Sequence, residues 1–215
     1  LFEYFGTLVV DEVHRYGAVE FRKAITKFPA RYRFGVTATP KRSDGLEEVF
    51  FAHIGPIAVV GDKRKLKPKI EMLDSKIRPT SIQLSNMRDY RGRYVMHKVL
   101  EYITADEGRN RLIVNLLMKA LRAGRKVLVL SDRREHLSTL FSLMKREMAK
   151  QGVRYPMGYY IGGMDERQRS ISATRQLILA TYQMASEGLD IPDLDTLFMV
   201  TPKSNIEQSV GRILR

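Results

Sequence analysis

Short runs of aliphatic and β-branched residues alternate with stretches of helical periodicity along the chain. The predicted strands lie at residues 7–10, 33–37, 57–60, 126–130, 159–161, 177–180 and 196–200. In the first part of the chain, helices are predicted at residues 18–27 and 45–52. This alternation is typical of βα units on a mostly parallel sheet, so the predicted fold class is α/β.

The clearest helical pattern lies after the fourth predicted strand, at residues 133–150. One face of this helix carries Leu137, Leu140, Phe141, Met144 and Met148. Gly152 follows the last apolar position, and a glycine just past a helix end is a frequent C-cap. The pattern therefore predicts an amphipathic helix that ends just before Gly152.

The stretch from residue 62 to about residue 108 interrupts this regularity. It opens with a basic run at residues 63–69, which either grips phosphates or forms a solvated loop. A break at Pro79 follows, and then apolar residues at helical spacing: Met96, Val99, Leu100 and Ile103. We predict a first lobe at residues 1–75, a connector with a helix at 76–108, and a second lobe at 109–215.

The charge balance narrows the range of partners. Lys and Arg number 37 against 24 Asp and Glu, which gives a net charge of +13. Such an excess suits a polyanion, either nucleic acid or an anionic membrane. No stretch reaches the roughly 18 apolar residues of a membrane span, so we expect nucleic acid and no membrane partner. The absence of cysteine excludes disulfides and fits a reducing, cytoplasmic location, and His53, His97 and His136 show no zinc-ligand spacing.

Two adjacent carboxylates follow the first predicted strand. The apolar run at residues 8–10 predicts a buried parallel strand that delivers Asp11 and Glu12 at its carboxyl edge, where open α/β sheets bind ligands. One carboxylate there can orient Mg²⁺ while the other activates a water molecule. The alternative is an acidic pair that caps the next helix.

A turn with two hydroxyl groups follows the next predicted strand. Thr37 and Thr39 precede Pro40, which prevents a helix from continuing, and a hydroxyl here could contact His14. The alternative is a plain turn in which both threonines bond the local backbone.

Two further candidates lie in the second lobe. Gly188 permits close backbone approach to a ligand, and Asp190 can accept a hydrogen bond from a ribose; the alternative is a polar loop ended by Pro192. Arg212 and Arg215 lie three residues apart on a predicted helix, so both can face one phosphate group, although a surface arginine pair is often only solvated.

These motifs, in this order, resemble those of the superfamily 2 helicases and translocases over essentially the whole chain. Asp11-Glu12-Val13-His14 is similar to motif II in its DExH form, and Thr37-Ala38-Thr39 to motif III. Residues 127–131 resemble motif IV, residues 181–190 motif V, and residues 208–215 motif VI. The residues of motifs III, V and VI resemble those of phage helicases and of the motor subunits of restriction enzymes.

The resemblance implies two RecA-like parallel-sheet lobes that use ATP and Mg²⁺ and move on nucleic acid, with DNA favoured over RNA. It implies that Asp11 coordinates Mg²⁺, that Glu12 is the general base, and that His14, Thr37 and Thr39 couple hydrolysis to lobe movement. Contacts with the nucleotide are implied for Gly188, Asp190, Gln208 and Arg212, and the arginine finger for Arg215, alone or shared with Arg212. Contacts with the nucleic-acid backbone are implied for Ser131, Thr181, Tyr182 and Gln183.

One family signature is missing from the chain. No Gly-x-x-x-x-Gly-Lys-Ser/Thr phosphate loop is present, and in this order of elements it precedes residue 1. We therefore expect a fragment whose first lobe is truncated at its N-terminal side and which alone does not hydrolyse ATP. The alternative function is a non-catalytic basic module that keeps the helicase fold and binds nucleic acid or a partner.

Overall fold

The computed structural model describes residues 4–14, 23, 25–37, 45, 47–61, 69–186, 191 and 193–203. The chain divides into two compact units, Leu1–Lys63 and Arg64–Arg215. No helix among the described residues is both long and apolar enough to cross a membrane.

The first unit contains a pair of parallel strands, β1 (Thr7–Asp11) and β2 (Tyr32–Val36). Helix α1 (Glu47–Ile54) buries Phe50 in a small core with Val13 and Ile25. The strand prediction at residues 33–37 and the helix prediction at 45–52 are confirmed within two residues. The helix predicted at residues 18–27 falls largely outside the described residues.

Two expectations for this unit are wrong. Strand β1 is buried on one side only: Leu8 and Val10 pack on the core, whereas Val9 on the other face is 62% exposed. The predicted strand at residues 57–60 is an exposed, irregular segment. Its β-branched composition suits a strand, but a strand forms only where a neighbour supplies hydrogen bonds, and none of the described strands pairs with it.

The second unit begins with three helices: α2 (Ser81–Asn86), α3 (Met96–Ala105) and α4 (Glu107–Arg122). The break near Pro79 is a helix start, because Thr80 and Gln83 form a reciprocal capping box. The predicted connector helix is confirmed as α3. Helix α4 was not predicted, although Ile113, Val114, Leu117, Met118 and Leu121 give it a buried face.

A four-stranded parallel sheet forms the centre of the second unit, in the order β4-β5-β3-β6. Its strands are β3 (Val127–Ser131), β4 (Met157–Tyr160), β5 (Leu177–Thr181) and β6 (Thr196–Met199). These strands confirm the four sequence predictions within a few residues. Helices α5 (Arg134–Lys150), α6 (Glu166–Ala173) and α7 (Tyr182–Ser186) complete the unit.

Both faces of the central strands are covered. Val127 and Val129 of β3 pack with α4 and α5, while Leu128 and Leu130 pack with α7 and the segment around Ile191. Burial on both faces explains why β3 and β5 appear in the sequence as unbroken apolar runs. Helix α5 ends as predicted, since Gly152 adopts φ +66° and the amide of Val153 donates to the carbonyl of Met148.

Leu128→Ala should lower the free energy of unfolding by about 2–5 kcal/mol, because it removes a fully buried side chain from the core and leaves a cavity. Leu73→Ala is the matched control, since Leu73 is 58% exposed and its loss should change stability by less than about 0.5 kcal/mol. Urea denaturation followed by circular dichroism measures both. Equal stability losses in the two variants would contradict the assignment of the core.

Candidate functional site

The two acidic residues lie directly at the carboxyl end of β1. Asp11 is its last residue, and its Oδ1 accepts a hydrogen bond of 2.8 Å from the amide of Glu12. Glu12 adopts φ +50°, a left-handed conformation that costs a residue with a side chain roughly 1–2 kcal/mol. Such strain occurs preferentially at functional positions. The backbone thus turns sharply where the carboxylates leave the strand.

His14 and Thr37 meet at the same edge. The parallel register pairs Asp11 with Val36, so Thr37 follows β2 beside the acidic pair. His14 Nδ1 lies 2.8 Å from Thr37 Oγ1 and 3.2 Å from Glu12 Oε2. The predicted contact between a threonine hydroxyl and His14 is therefore confirmed for Thr37, and the imidazole links the acidic turn to the neighbouring strand.

Gly35 makes room for this arrangement. Val13, between Glu12 and His14, is buried, and a β-carbon on Gly35 would lie 3.1 Å from both of its methyl carbons. A side chain at residue 35 would require Val13 to shift by a few tenths of an ångström. The close approach of β2 to this turn therefore depends on a glycine.

One carboxylate oxygen of Glu12 is enclosed by the protein. Its Oε2 atom is buried and accepts no hydrogen bond from any residue that the structure describes, although His14 is near. A buried acceptor without a donor is costly and is usually explained by function or by a missing ligand. Carboxylate oxygens are also the ligands that Mg²⁺ prefers, so Asp11 and Glu12 fit a site for a hydrated cation and an activated water.

A buried polar network supports the carboxyl edge of the second sheet. His136 of α5 lies with Nε2 2.9 Å from Asn110 Oδ1 and with Nδ1 3.2 Å from Ser131 Oγ. Asn110 Nδ2 donates to the carbonyl of Thr104, so its oxygen faces the imidazole, which therefore carries its proton on Nε2. The amide of Arg133 donates to Ser131 Oγ. These bonds join α4, β3 and α5.

A second group of bonds fastens the chain after β6. The hydroxyl of Tyr182 donates to the carbonyl of Thr201 at 2.7 Å, and Thr201 Oγ1 accepts from the amide of Asp132 at 2.9 Å. Arg109 donates to the carbonyl of Val200. Lys203 lies 3.8 Å from Asp132. The segment that leads toward residues 204–215 is therefore fixed to the ends of β3 and β5.

Burial changes the ionisation of these groups. It lowers the pKa of His136 to about 4, with the positive charge of Arg109 as a smaller cause in the same direction. It raises the pKa of the Tyr182 hydroxyl to about 12 and lowers the pKa of Arg109. At neutral pH His136 is therefore uncharged.

The second-lobe residues predicted to contact nucleic acid divide into two kinds. Ser131 and Tyr182 are buried, with 0% and 3% exposure, and both are hydrogen-bonded within the protein, which differs from the predicted direct contact with a phosphodiester. Thr181 is half-buried at the end of β5, and Gln183 is exposed, so the prediction stands for these two. Six predicted site residues lie outside the described residues: Thr39, Gly188, Asp190, Gln208, Arg212 and Arg215.

Sequence reasoning missed several residues that shape this edge: Arg109, Asn110, His136 and Thr201. Their role depends on contacts between residues that are distant in the sequence, since 26 positions separate Asn110 from His136. One signal was available. Asn110 and His136 each interrupt an otherwise apolar helix face, and polar residues on such a face are usually paired with each other.

Comparison with known proteins gives two family matches. The family model of the helicase conserved C-terminal domain matches residues 108–215, half of the chain, and that of the type III restriction enzyme res subunit matches residues 1–42.

Two viral relatives match almost the whole chain. The chain is 33% identical, over its full length, to 41% of an Acanthamoeba polyphaga mimivirus protein whose name places it among the ATP-dependent RNA helicases. It is 29% identical, over 99% of its length, to 44% of the transcript termination protein of camelpox virus. The chain therefore spans less than half the length of these curated relatives.

A solved structure shares the fold. The crystal structure of the Pyrococcus furiosus Hef helicase domain matches 100% of this chain and 68% of its own length, with a TM-score of 0.50 and 12% identity. At this identity the likeness concerns the fold alone, and it agrees with an α/β architecture of RecA-like parallel sheets.

The lowered pKa of His136 predicts a loss of stability in mild acid. Between pH 6.5 and about 4, His136 binds a proton in the unfolded chain but not in the native state, so stability falls as the pH falls through this window. From pH 7 to pH 5 the free energy of unfolding should fall by about 2 kcal/mol. His136→Asn should remove this part of the pH dependence, and His97→Asn, at an exposed position, should keep it. Urea denaturation at both pH values measures the difference; an unchanged pH dependence in His136→Asn would refute the assignment.

Proposed function

We propose that this chain, which belongs to the family of the helicase conserved C-terminal domain, forms part of an ATP-dependent motor that moves along nucleic acid. The observation that carries this proposal is the cluster at the end of β1 and β2. There two carboxylates, the imidazole of His14 and the hydroxyl of Thr37 converge on one edge of a parallel strand pair. This is the edge at which α/β proteins bind ligands.

The acidic pair divides the chemistry of ATP hydrolysis. Asp11 would hold the Mg²⁺ ion that accompanies ATP, which would supply positive charge beside the phosphate oxygens. Glu12 takes the proton of the attacking water, and no described residue donates a hydrogen bond to its Oε2 atom. Glu12 adopts a left-handed backbone conformation immediately after the last residue of the strand.

His14 and Thr37 connect hydrolysis to movement. The imidazole touches both the proposed base and the strand β2, so a change at the phosphates can alter the hydrogen bond to Thr37. We place Thr39, two residues further on, in the same coupling role.

The second unit supplies the remaining parts. Gly188, Asp190 and Gln208 are proposed to contact the nucleotide, and Arg212 and Arg215 to bring positive charge to the transferred phosphoryl group. The bonds of Thr201 and Arg109 support this role, because they fix the chain directly before the segment that carries the arginines. Ser131 and Tyr182 act through this framework, whereas Thr181 and Gln183 are proposed to face the nucleic-acid backbone.

We propose DNA as the track. The net charge of +13 suits any nucleic acid, and the match of residues 1–42 to a restriction-enzyme subunit supports DNA. One relative is named as an RNA helicase, so both polymers belong in the test.

Glu12→Gln should lower nucleic-acid-stimulated phosphate release by the full-length protein about 10²–10⁴-fold, the usual contribution of a general base, while ATP binding persists. Glu48→Gln is the matched control, since Glu48 is an exposed residue of α1, and it should retain the wild-type rate. Phosphate release is measured with single-stranded DNA and with RNA.

A loss of less than about tenfold in Glu12→Gln would mean that the catalytic site lies elsewhere. Absence of any nucleic-acid-stimulated hydrolysis in the wild-type protein would favour the non-catalytic binding module instead.

A further inference from the structure

A small hairpin precedes α3 in the second unit. Residues 87–95 fold back on themselves: Arg88 and Tyr94 form an antiparallel bridge, and the amide of Val95 donates to the carbonyl of Met87 at 2.8 Å. Met87 is buried and anchors the base. The hairpin played no part in the functional assignments above.

The tip of this hairpin is rigid. The amide of Gly92 donates to the carbonyl of Asp89, and Gly92 adopts φ +75°, as in a three-residue hairpin loop that ends in a glycine bulge. The carboxylate of Asp89 accepts hydrogen bonds of 2.9 Å from the amides of both Arg91 and Arg93. A loop held by its own bonds loses little entropy when it binds a ligand.

The tip presents aromatic rings and arginines to solvent. Tyr90 is 88% exposed, and the guanidinium carbon of Arg91 lies 5.2 Å from the centre of its ring. Tyr94 is 53% exposed, lies 4.8 Å from the guanidinium of Arg88 and accepts a hydrogen bond from it. Exposed aromatics beside arginines are the means by which proteins hold single-stranded nucleic acid, through stacking and phosphate contacts.

The hairpin lies near the carboxyl edge of the second sheet. Arg133, two residues after the end of β3, donates from its guanidinium to the carbonyl of His97 at 3.3 Å. Tyr94 precedes His97 by three residues, so their α-carbons are at most about 11 Å apart. The base of the hairpin therefore lies near the edge at which α/β sheets bind their ligands.

We propose that this hairpin is a nucleic-acid site in which an unpaired base stacks on Tyr90 while Arg91 and Arg88 contact phosphates. The proposal rests on the proposed function and adds a preference for strand form. The bases within a duplex are already stacked on both faces, so an exposed ring gains its partner from an unpaired base. Three arginines against one aspartate between residues 88 and 94 favour a polyanion over an apolar protein partner.

The test compares the affinity of the full-length protein for labelled single-stranded DNA and for a blunt duplex of equal length, by fluorescence anisotropy. Tyr90→Ala should weaken single-strand binding at least about fivefold, the lower end of the loss for one base stacked on an aromatic ring. The single-strand affinity of Tyr90→Phe should stay within about twofold of wild type, because phenylalanine keeps the ring. The duplex affinity of both variants should also stay within about twofold, because both keep the phosphate contacts. For single strands, Arg91→Ala should reduce the slope of log affinity against log salt concentration by about 0.7.

Tyr4→Ala is the matched control, because Tyr4 is 89% exposed and lies in the first unit. If Tyr90→Ala binds single strands as tightly as wild type, or loses duplex affinity equally, the stacking site is refuted. The proposed function survives that result as long as Glu12→Gln still abolishes stimulated hydrolysis. A wild-type protein that binds neither DNA form would overturn the stacking site, and it would overturn the proposed function as well if RNA also fails to bind.

Discussion

Parallel pairing of strands is the constraint on which the rest of the structure depends, because it brings the carboxyl ends of successive strands to one edge. In the first unit the register of Asp11 with Val36 places Thr37 beside His14, although 23 residues separate them. In the second unit the same geometry brings Ser131 and Thr181 together. Each unit thus carries its polar side chains at one end of a largely apolar scaffold.

The second edge is held by buried polar groups with specific partners. An unpaired buried polar group costs about 1–3 kcal/mol, so His136, Asn110 and Ser131 stabilise the fold only when all of their bonds form together. Thr201 and Tyr182 make the same kind of connection after β6. Such networks fix one geometry, and the proposed binding of phosphates and nucleic acid at this edge needs that rigidity.

The sequence predicted those elements whose burial leaves a simple pattern. Strands β3 and β5 are apolar throughout because both faces are covered, and α5 shows its buried face at helical spacing. The run at residues 57–60 has the composition of a strand, but composition does not supply a pairing partner. The acidic turn and the contact of Thr37 with His14 followed from motif order, whereas the Asn110–His136 pair and the hairpin at Tyr90 depend on tertiary packing and on turn geometry.

In the proposed motor, the hydrogen bond between Thr37 and His14 transmits the state of the acidic turn to the rest of the protein. Its most direct test is phosphate release by full-length Thr37→Val and Thr37→Ser, with and without single-stranded nucleic acid. Valine keeps the shape and removes the hydroxyl, so this variant should retain basal hydrolysis and lose most of the stimulation, while the serine variant should respond as wild type does. Full stimulation in Thr37→Val would contradict the account.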